Sequence, residues 1–180
     1  MPAPTAQLRG RWSIRRFSKN HDGSIAIEFA LVALPFFALL FAILETALIF
    51  FAGQILETGL ADAARLIRTG QAQEQSFDKN KFQQAVCARI VALLDCEAGV
   101  KIDVRELTDF NSAREPLPID ANGNFDDDNF VYRPGVGGDI VLVRAFYEWP
   151  TSVPNFVAPH NLANGNYLLS ATATFRNEPF

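Results

Sequence analysis

Three sets of residues in the 180-residue chain have types and spacings that invite chemistry. The first is Gly23, Ser24 and Glu28, where a carboxylate sits about one turn into a long apolar stretch. There an ionised carboxylate costs at least several kcal/mol unless it is paired or hydrated. A cut after Gly23 would expose a new ammonium at Ser24, four residues away on the same helix, and a neighbouring subunit could supply the same charge. Neutralisation by either route gives assembly a driving force and a register. The plainer reading is a carboxylate that snorkels to the cytoplasmic interface. Glu45, seventeen residues later and about 25 Å further along a helix, is expected near the outer membrane boundary. Snorkelling is preferred for it over an intersubunit polar contact.

The second set is Cys87 and Cys96, the entire thiol inventory. Both lie beyond the apolar run from the basic leader, so if that side is oxidising a disulfide is the natural reading. Nine residues of continuous helix would separate their Cα atoms by about 13 Å, whereas a disulfide needs roughly 4.4 to 6.8 Å. The helix must therefore stop near Leu94 and fold back, with Asp95 and Gly99 placed to allow it. A catalytic thiol is disfavoured because His21 and His160 are the only histidines and no Cys-x-x-Cys exists. Two cysteines without a histidine cluster also make a poor zinc site. The acidic run Asp120 to Asp128 invites calcium, with Asp120, Asn122 and Asn124 at the first, third and fifth places of an EF-hand-like loop. The pattern then fails, because glycine falls at position 123 and Val131 occupies the place of the closing glutamate. A solvated loop or a partner-facing surface is the better reading. No nucleophile, base and orienting residue stand out together. No catalytic, cofactor-binding or metal-binding residue is assigned, and an enzyme is not expected.

These residues need elements to position them. Met1 to Asp22 mixes Pro, Arg, Ser and Asn without periodicity and reads as a flexible cytoplasmic leader. The run from Ser24 to Ala52, interrupted only by Glu28 and Glu45, gives about 43 Å of helix, enough for a tilted membrane span. Pro35 should bend or loosen it. Leu56, Leu60, Ala63 and Ile67 then continue at helical spacing as an amphipathic extension, with Gly70 as terminator. A second helix is expected from about Lys79 to Leu94, capped by Asp78, with Phe82, Val86, Ile90 and Leu93 as its buried stripe. Val100, Ile102 and Val104 alternate with Lys101, Asp103 and Arg105 as a half-buried strand, and two more strands run from Asp139 to Trp149 and from Tyr167 to Arg176. The segment from Thr108 to Gly138, rich in Pro, Asp, Asn and Gly, is a long loop and a place for function. Phe146, Tyr147, Trp149 and Phe156 read as core rather than as a ligand platform. The tail from Arg176 to Phe180 ends on an aromatic and is expected to dock on the domain or on a neighbour.

Charge divides the chain at Gly23. The leader carries net +4 and the remainder −8, within a total of −4. A basic leader before a span matches retention on the cytoplasmic side. An acidic remainder argues against nucleic acid as a partner, since phosphates demand clustered Lys and Arg.

Gly23, Glu28 at the fifth position after it, Phe29 and the apolar run resemble a class III prepilin peptidase signal of type IV pilins and pseudopilins. Ala63-Ala64-Arg65 with Thr69-Gly70, the pair Cys87 and Cys96, Tyr147-Glu148-Trp149-Pro150 and the closing Phe175 to Phe180 narrow the resemblance to the TadE-like pseudopilins of the bacterial Tad/Flp tight-adherence pilus. This resemblance implies cleavage between Gly23 and Ser24 by a membrane aspartic peptidase, and service as a minor pilin that assists assembly. Its implied partners are that prepilin peptidase, other pilins or pseudopilins, inner-membrane pilus assembly proteins and membrane lipid. The expected fold is α+β and type IV pilin-like, a long N-terminal transmembrane helix extending into a small domain with a second helix and a three-stranded antiparallel sheet. The expected division is a cleaved leader over 1–23, a transmembrane and amphipathic helix over 24–70, and an extracytoplasmic α+β domain over 71–180. The location implied is the bacterial inner membrane, single pass, with the N-terminus cytoplasmic and the C-terminal domain periplasmic or extracellular. The alternative is a permanently anchored single-pass protein whose outer domain binds or senses something.

Overall fold

The computed structural model describes residues 24–90, 94–151 and 161–180. The leader through Gly23, Leu93, Phe156 and both histidines lie outside the described residues. Contacts divide the chain after Leu40, and the two units are taken in turn.

The described part of the first unit is helical from Ser24 onward and belongs to helix α1 (Ser24–Arg68). Its residues are Ala, Leu, Ile, Val and Phe apart from Ser24, Glu28 and Pro35, and the helix continues through Pro35. Among the described residues of this unit nothing covers the apolar side chains. Ile25, Phe29, Leu31, Val32 and Leu34 are each 71% exposed or more.

In the second unit, Phe41 to Phe180, the remainder of α1 gains a buried face. Ile49, Ala52, Leu56, Leu60, Ala63 and Ile67 recur at three- and four-residue steps, and all are buried. Each fully buried leucine here stabilises the unit by about 1.5–3 kcal/mol. The helix stops because Gly70 adopts φ 80°, a left-handed conformation that few other residues tolerate. A single turn, α2 (Gln71–Glu74), leads to α3 (Lys79–Cys87), whose first turn is capped by Asp78 accepting from the Lys81 N–H at 2.7 Å. Phe82, Val86 and Ile90 form its buried stripe.

The helix expected to reach Leu94 ends at Cys87. The Arg89 and Ile90 amides reach back only three residues, to Val86 and Cys87, which tightens the chain into a turn. The bond from Cys87 to Cys96 brings the two Cα atoms to 5.5 Å, a separation that nine residues of continuing helix cannot provide. A short turn, α4 (Cys96–Gly99), then feeds the sheet.

Strands β1 (Val100–Leu107), β2 (Ile140–Trp149) and β3 (Tyr167–Arg176) form an antiparallel sheet in the order β1-β2-β3. Val104, Val143 and Ala173 stand opposite one another. Because side chains alternate across a strand, these residues and those two steps away face α1 and α3, and they include Val100, Ile102, Val141, Ala145, Leu169 and Ala171. Helix α1 runs alongside β3 in the same direction. Glu45 meets Trp149, which pairs with Tyr167 at the start of β3, and Arg68 accepts from the Glu178 N–H at 2.9 Å just past its end.

The opposite sheet face is covered as well. The segment between β1 and β2 folds over it, placing Ile119, Phe125 and Phe130 against Phe146, Leu162 and Leu168. That cover makes β2 a central strand buried on both faces, which explains its nearly continuous apolar run. It also takes Asp103 out of solvent, with 0% of the residue exposed.

Candidate functional site

The N-terminal helix is the element with the chemistry of a membrane. Its 44 residues from Ile25 to Arg68 are long and apolar enough to cross one, and it is the one such helix among the described residues. Within the second unit the outer surface stays apolar as far as Phe50 and Phe51, which are 71% and 58% exposed. A monomer in water seldom displays so much contiguous apolar surface, whereas lipid or neighbouring helices match it. Glu28 lies four residues after Ser24 with its side chain at the helix surface. Gly23, the expected cleavage position, lies outside the described residues.

Glu45 departs from the expected snorkelling. It is 8% exposed, on the same helix face as Ile49, Ala52 and Leu56, and its Oε1 accepts from the Trp149 indole N–H at 3.4 Å. The sheet end packs over the helix at this level, so the carboxylate is held by the domain rather than by water. Trp149 therefore sits at the helix as part of the core margin, while Phe146 and Tyr147 are buried on opposite sheet faces.

Cys87 and Cys96 are joined in a disulfide. The bridge closes the chain between α3 and β1, and Gln83 reinforces it by donating to the Cys96 and Val100 carbonyls at 3.5 and 3.0 Å.

The loop from Asp120 folds on its own side chains. Asp120 Oδ1 accepts the amides of Asn122 and Asn124 at 2.9 and 2.7 Å, and Gly123 supplies φ 82° at the turn. The bond from the Asn124 amide is the largest influence holding the Asp120 carboxyl below its ordinary 3.8. These bonds tie Asp120 Oδ1 to the backbone of its own loop. Among the described residues no group of three or more His, Cys, Asp and Glu is placed to hold a metal.

One polar centre was absent from the sequence reading. Asp103 Oδ2 accepts from Arg144 Nη2 at 2.7 Å and from Arg105 Nε at 2.9 Å, and its Oδ1 accepts the Val131 amide at 3.0 Å. Arg144 Nη1 also donates to the Pro116 carbonyl at 3.1 Å, and Arg105 Nη2 to Asn129 at 3.0 Å. Three charged side chains on adjacent strands thus fasten the long loop to the sheet. The signal for this was Arg144 itself, a lone charge within an apolar strand, which demands a buried partner. The loop read as a place for function is therefore in large part a cover for the core.

The C-terminal tail docks on the domain. Asn177, 3% exposed, donates to the Pro134 and Val136 carbonyls at 2.9 and 3.0 Å, Glu178 pairs with Arg68 at 3.3 Å, and the Phe180 ring lies against Gly70.

Comparison with curated proteins and with solved structures returns no match. Over the stretch that opens with Gly23 and carries Glu28, Glu45 and the start of the buried helix face, residues 23–65 match the family model of the TadE-like protein, the family that the sequence resembles.

Proposed function

We propose that the chain is a minor pilin or pseudopilin that assists assembly of a Tad-type (Flp) pilus or related secretion machinery, and that a prepilin peptidase processes it after Gly23. The observation that carries this reading is the two-part surface of α1. Its large apolar side chains are exposed from Ile25 to Leu44 and, off one face, as far as Phe51, and from Glu45 onward one stripe is buried against a disulfide-closed α+β domain. The TadE-like match over 23–65 coincides with that helix and supports a Tad pilus-related role.

In this reading the basic leader stays on the cytoplasmic side of the inner membrane, the helix spans it, and the outer domain folds where a disulfide can form. Cleavage releases the ammonium of Ser24 one helical turn from Glu28, so the two opposite charges neutralise one another within the subunit or between neighbours in a helix bundle. The partners are the peptidase, other pilins or pseudopilins, the inner-membrane assembly proteins and lipid.

Intact-mass measurement on protein from membranes containing the cognate peptidase tests the processing step. A chain beginning at Ser24, and its loss in Gly23→Ala, is the expected outcome. Retention of Arg9 to Lys19 under those conditions would instead favour a permanently anchored single-pass protein. Glu28→Gln should still be cleaved and should impair pilus formation, and normal piliation would show the carboxylate to be dispensable.

A further inference from the structure

We propose that the free edge of β3 is a docking edge, to which an extended and largely uncharged strand of a different protein anchored in the same membrane adds by backbone hydrogen bonding. The inference rests on reading α1 as a membrane span.

The parity of the strand decides which backbone groups face outward. The Leu168 N–H donates to Asn161 Oδ1 at 2.7 Å, and Asn161 Nδ2 donates to the Leu168 carbonyl at 3.4 Å, so the Leu168 backbone faces away from β2. Backbone groups alternate in direction along a strand, and Ser170, Thr172 and Thr174 therefore face outward as well. Among the described residues no backbone group pairs with them on that side.

The two sheet edges are treated differently. At the β1 edge the Val104 N–H donates to Val131 and the Val104 carbonyl accepts from Arg133, at 2.8 and 2.9 Å, and the strand carries Lys101, Asp103, Arg105 and Glu106. Strand β3 has no charge and no proline from Tyr167 to Phe175, and its register with β2 is unbroken over ten residues. Charges, prolines and bulges are devices that keep edge strands from pairing, and β3 has none of them between Tyr167 and Phe175.

A second copy does not fit this edge. Antiparallel pairing of β3 with itself needs a two-fold axis perpendicular to the sheet. Because α1 from Glu45 to Arg68 runs in the direction of β3, that axis would set the exposed apolar residues Leu48, Phe50 and Phe51 of the two copies at opposite ends of the pair, and one membrane cannot take both. Parallel pairing about an axis along the strands sets Thr172 level with Thr172, N–H against N–H and carbonyl against carbonyl. The occupant is therefore another chain.

Its chemistry follows from the surroundings. Ser170 to Thr174 offers about 17 Å of edge and about six backbone hydrogen bonds, burying less than the roughly 1,200 Å² of a stable interface. The occupant needs a second contact, and a groove of about 350 Å³ provides it. Ile49, Phe50, Gly53, Glu57, Tyr167 and Leu169 line this groove, which opens through Phe50 onto the exposed apolar face of α1. A partner with its own membrane helix would fill both. Arg176 at the far end of the strand favours an added strand that is uncharged in its middle and acidic toward Arg176.

Residue-resolved hydrogen exchange on the full chain, in native membranes and after purification in micelles, tests the proposal. The Ser170, Thr172 and Thr174 amides should exchange about 100-fold more slowly in the native membranes, while Ala171 and Ala173, bonded to β2, stay unchanged. Thr172→Pro removes the central outward donor, a substitution that edge positions tolerate. It should leave the disulfide and the unfolding midpoint intact and abolish the protection at Ser170 and Thr174. Fast exchange at these amides in native membranes overturns the proposal, and so does disulfide-linked homodimer formation by Thr172→Cys there. Exchange over residues 30–44 reports on the span separately. If those amides are unprotected in membranes, the membrane reading fails whatever β3 shows, and the proposal of a membrane-anchored partner falls with it.

Discussion

Substituting Asp103 should be among the most damaging single changes in the second unit. Its carboxylate is fully buried and accepts hydrogen bonds from Arg144, Arg105 and the Val131 amide. Asp103→Ala leaves the Arg144 side chain, 7% exposed, without its counter-charge. Glu115 is 4.0 Å from Arg144 Nη2 and 35% exposed, which makes it a weak replacement. Removing one member of a buried pair costs about 3–5 kcal/mol, a large share of the roughly 5–15 kcal/mol by which domains are stable. Arg144→Met should cost a comparable amount. The double variant Asp103→Val with Arg144→Met removes both charges and should recover most of the loss, since a buried pair contributes little beyond an apolar replacement. Urea unfolding of the full chain in micelles, followed by Trp149 fluorescence in a Trp12→Phe background, measures each step. Amide exchange at Val131 and Arg133 reports whether the loop has come away. A loss below about 1 kcal/mol for Asp103→Ala, or a double variant as damaged as the sum of the singles, would refute the reasoning.

Three further outcomes follow from the geometry. Cys87→Ser with Cys96→Ser opens a loop whose ends are nine residues apart, and unfolding should become easier by about 2–3 kcal/mol, read from the urea midpoint. Burial, with a smaller push from Asp78, raises the Tyr132 phenol to about 12 from its ordinary 10.0. Stability from this group is fully present below pH 10 and lost as pH rises toward 12, so Tyr132→Phe should flatten the alkaline limb of the stability profile. The same substitution should change stability little at pH 7, because the hydroxyl is buried without a hydrogen-bond partner among the described residues. Gly70→Ala places a Cβ 2.5 Å from the Phe180 ring at a residue with φ 80°, and should cost at least about 1–2 kcal/mol. Deleting Phe180 in that variant should return the steric part and leave the backbone part, which separates the two by the unfolding midpoint.

Much of the fold was legible because local rules decide it. The three- and four-residue spacing from Leu56 to Ile67 fixes a buried helix face, Asp78 announces the start of α3, Gly70 ends α1, alternation finds β1 and β3, and a broadly apolar run finds β2. What was not legible depends on residues far apart in sequence. The end of α3 is set by a covalent partner nine residues on, and a helical pattern through Ile90 gives no warning of it. Asp103 alternates with Val104 as an outward residue should, and only the loop around Val131 turns its face into an interior. Glu45 shows the same effect, since Trp149 reaches it across 104 residues.

These non-local contacts bear on function in opposite ways. Asp103 converts a loop that seemed free for recognition into a cover for the sheet, which leaves less variable surface for partners than the sequence promised. Glu45 and Trp149 fasten the start of the domain to α1 at the level where the exposed apolar surface ends, between Glu45 and Phe51. A domain clamped there moves with the outer part of the helix, so a force or rotation applied to that part is passed to the sheet and its open β3 edge. Weakening the clamp with Glu45→Ala should therefore loosen β2 near Trp149 before it affects Val141 at the far end of the strand, an order that amide exchange along β2 measures directly.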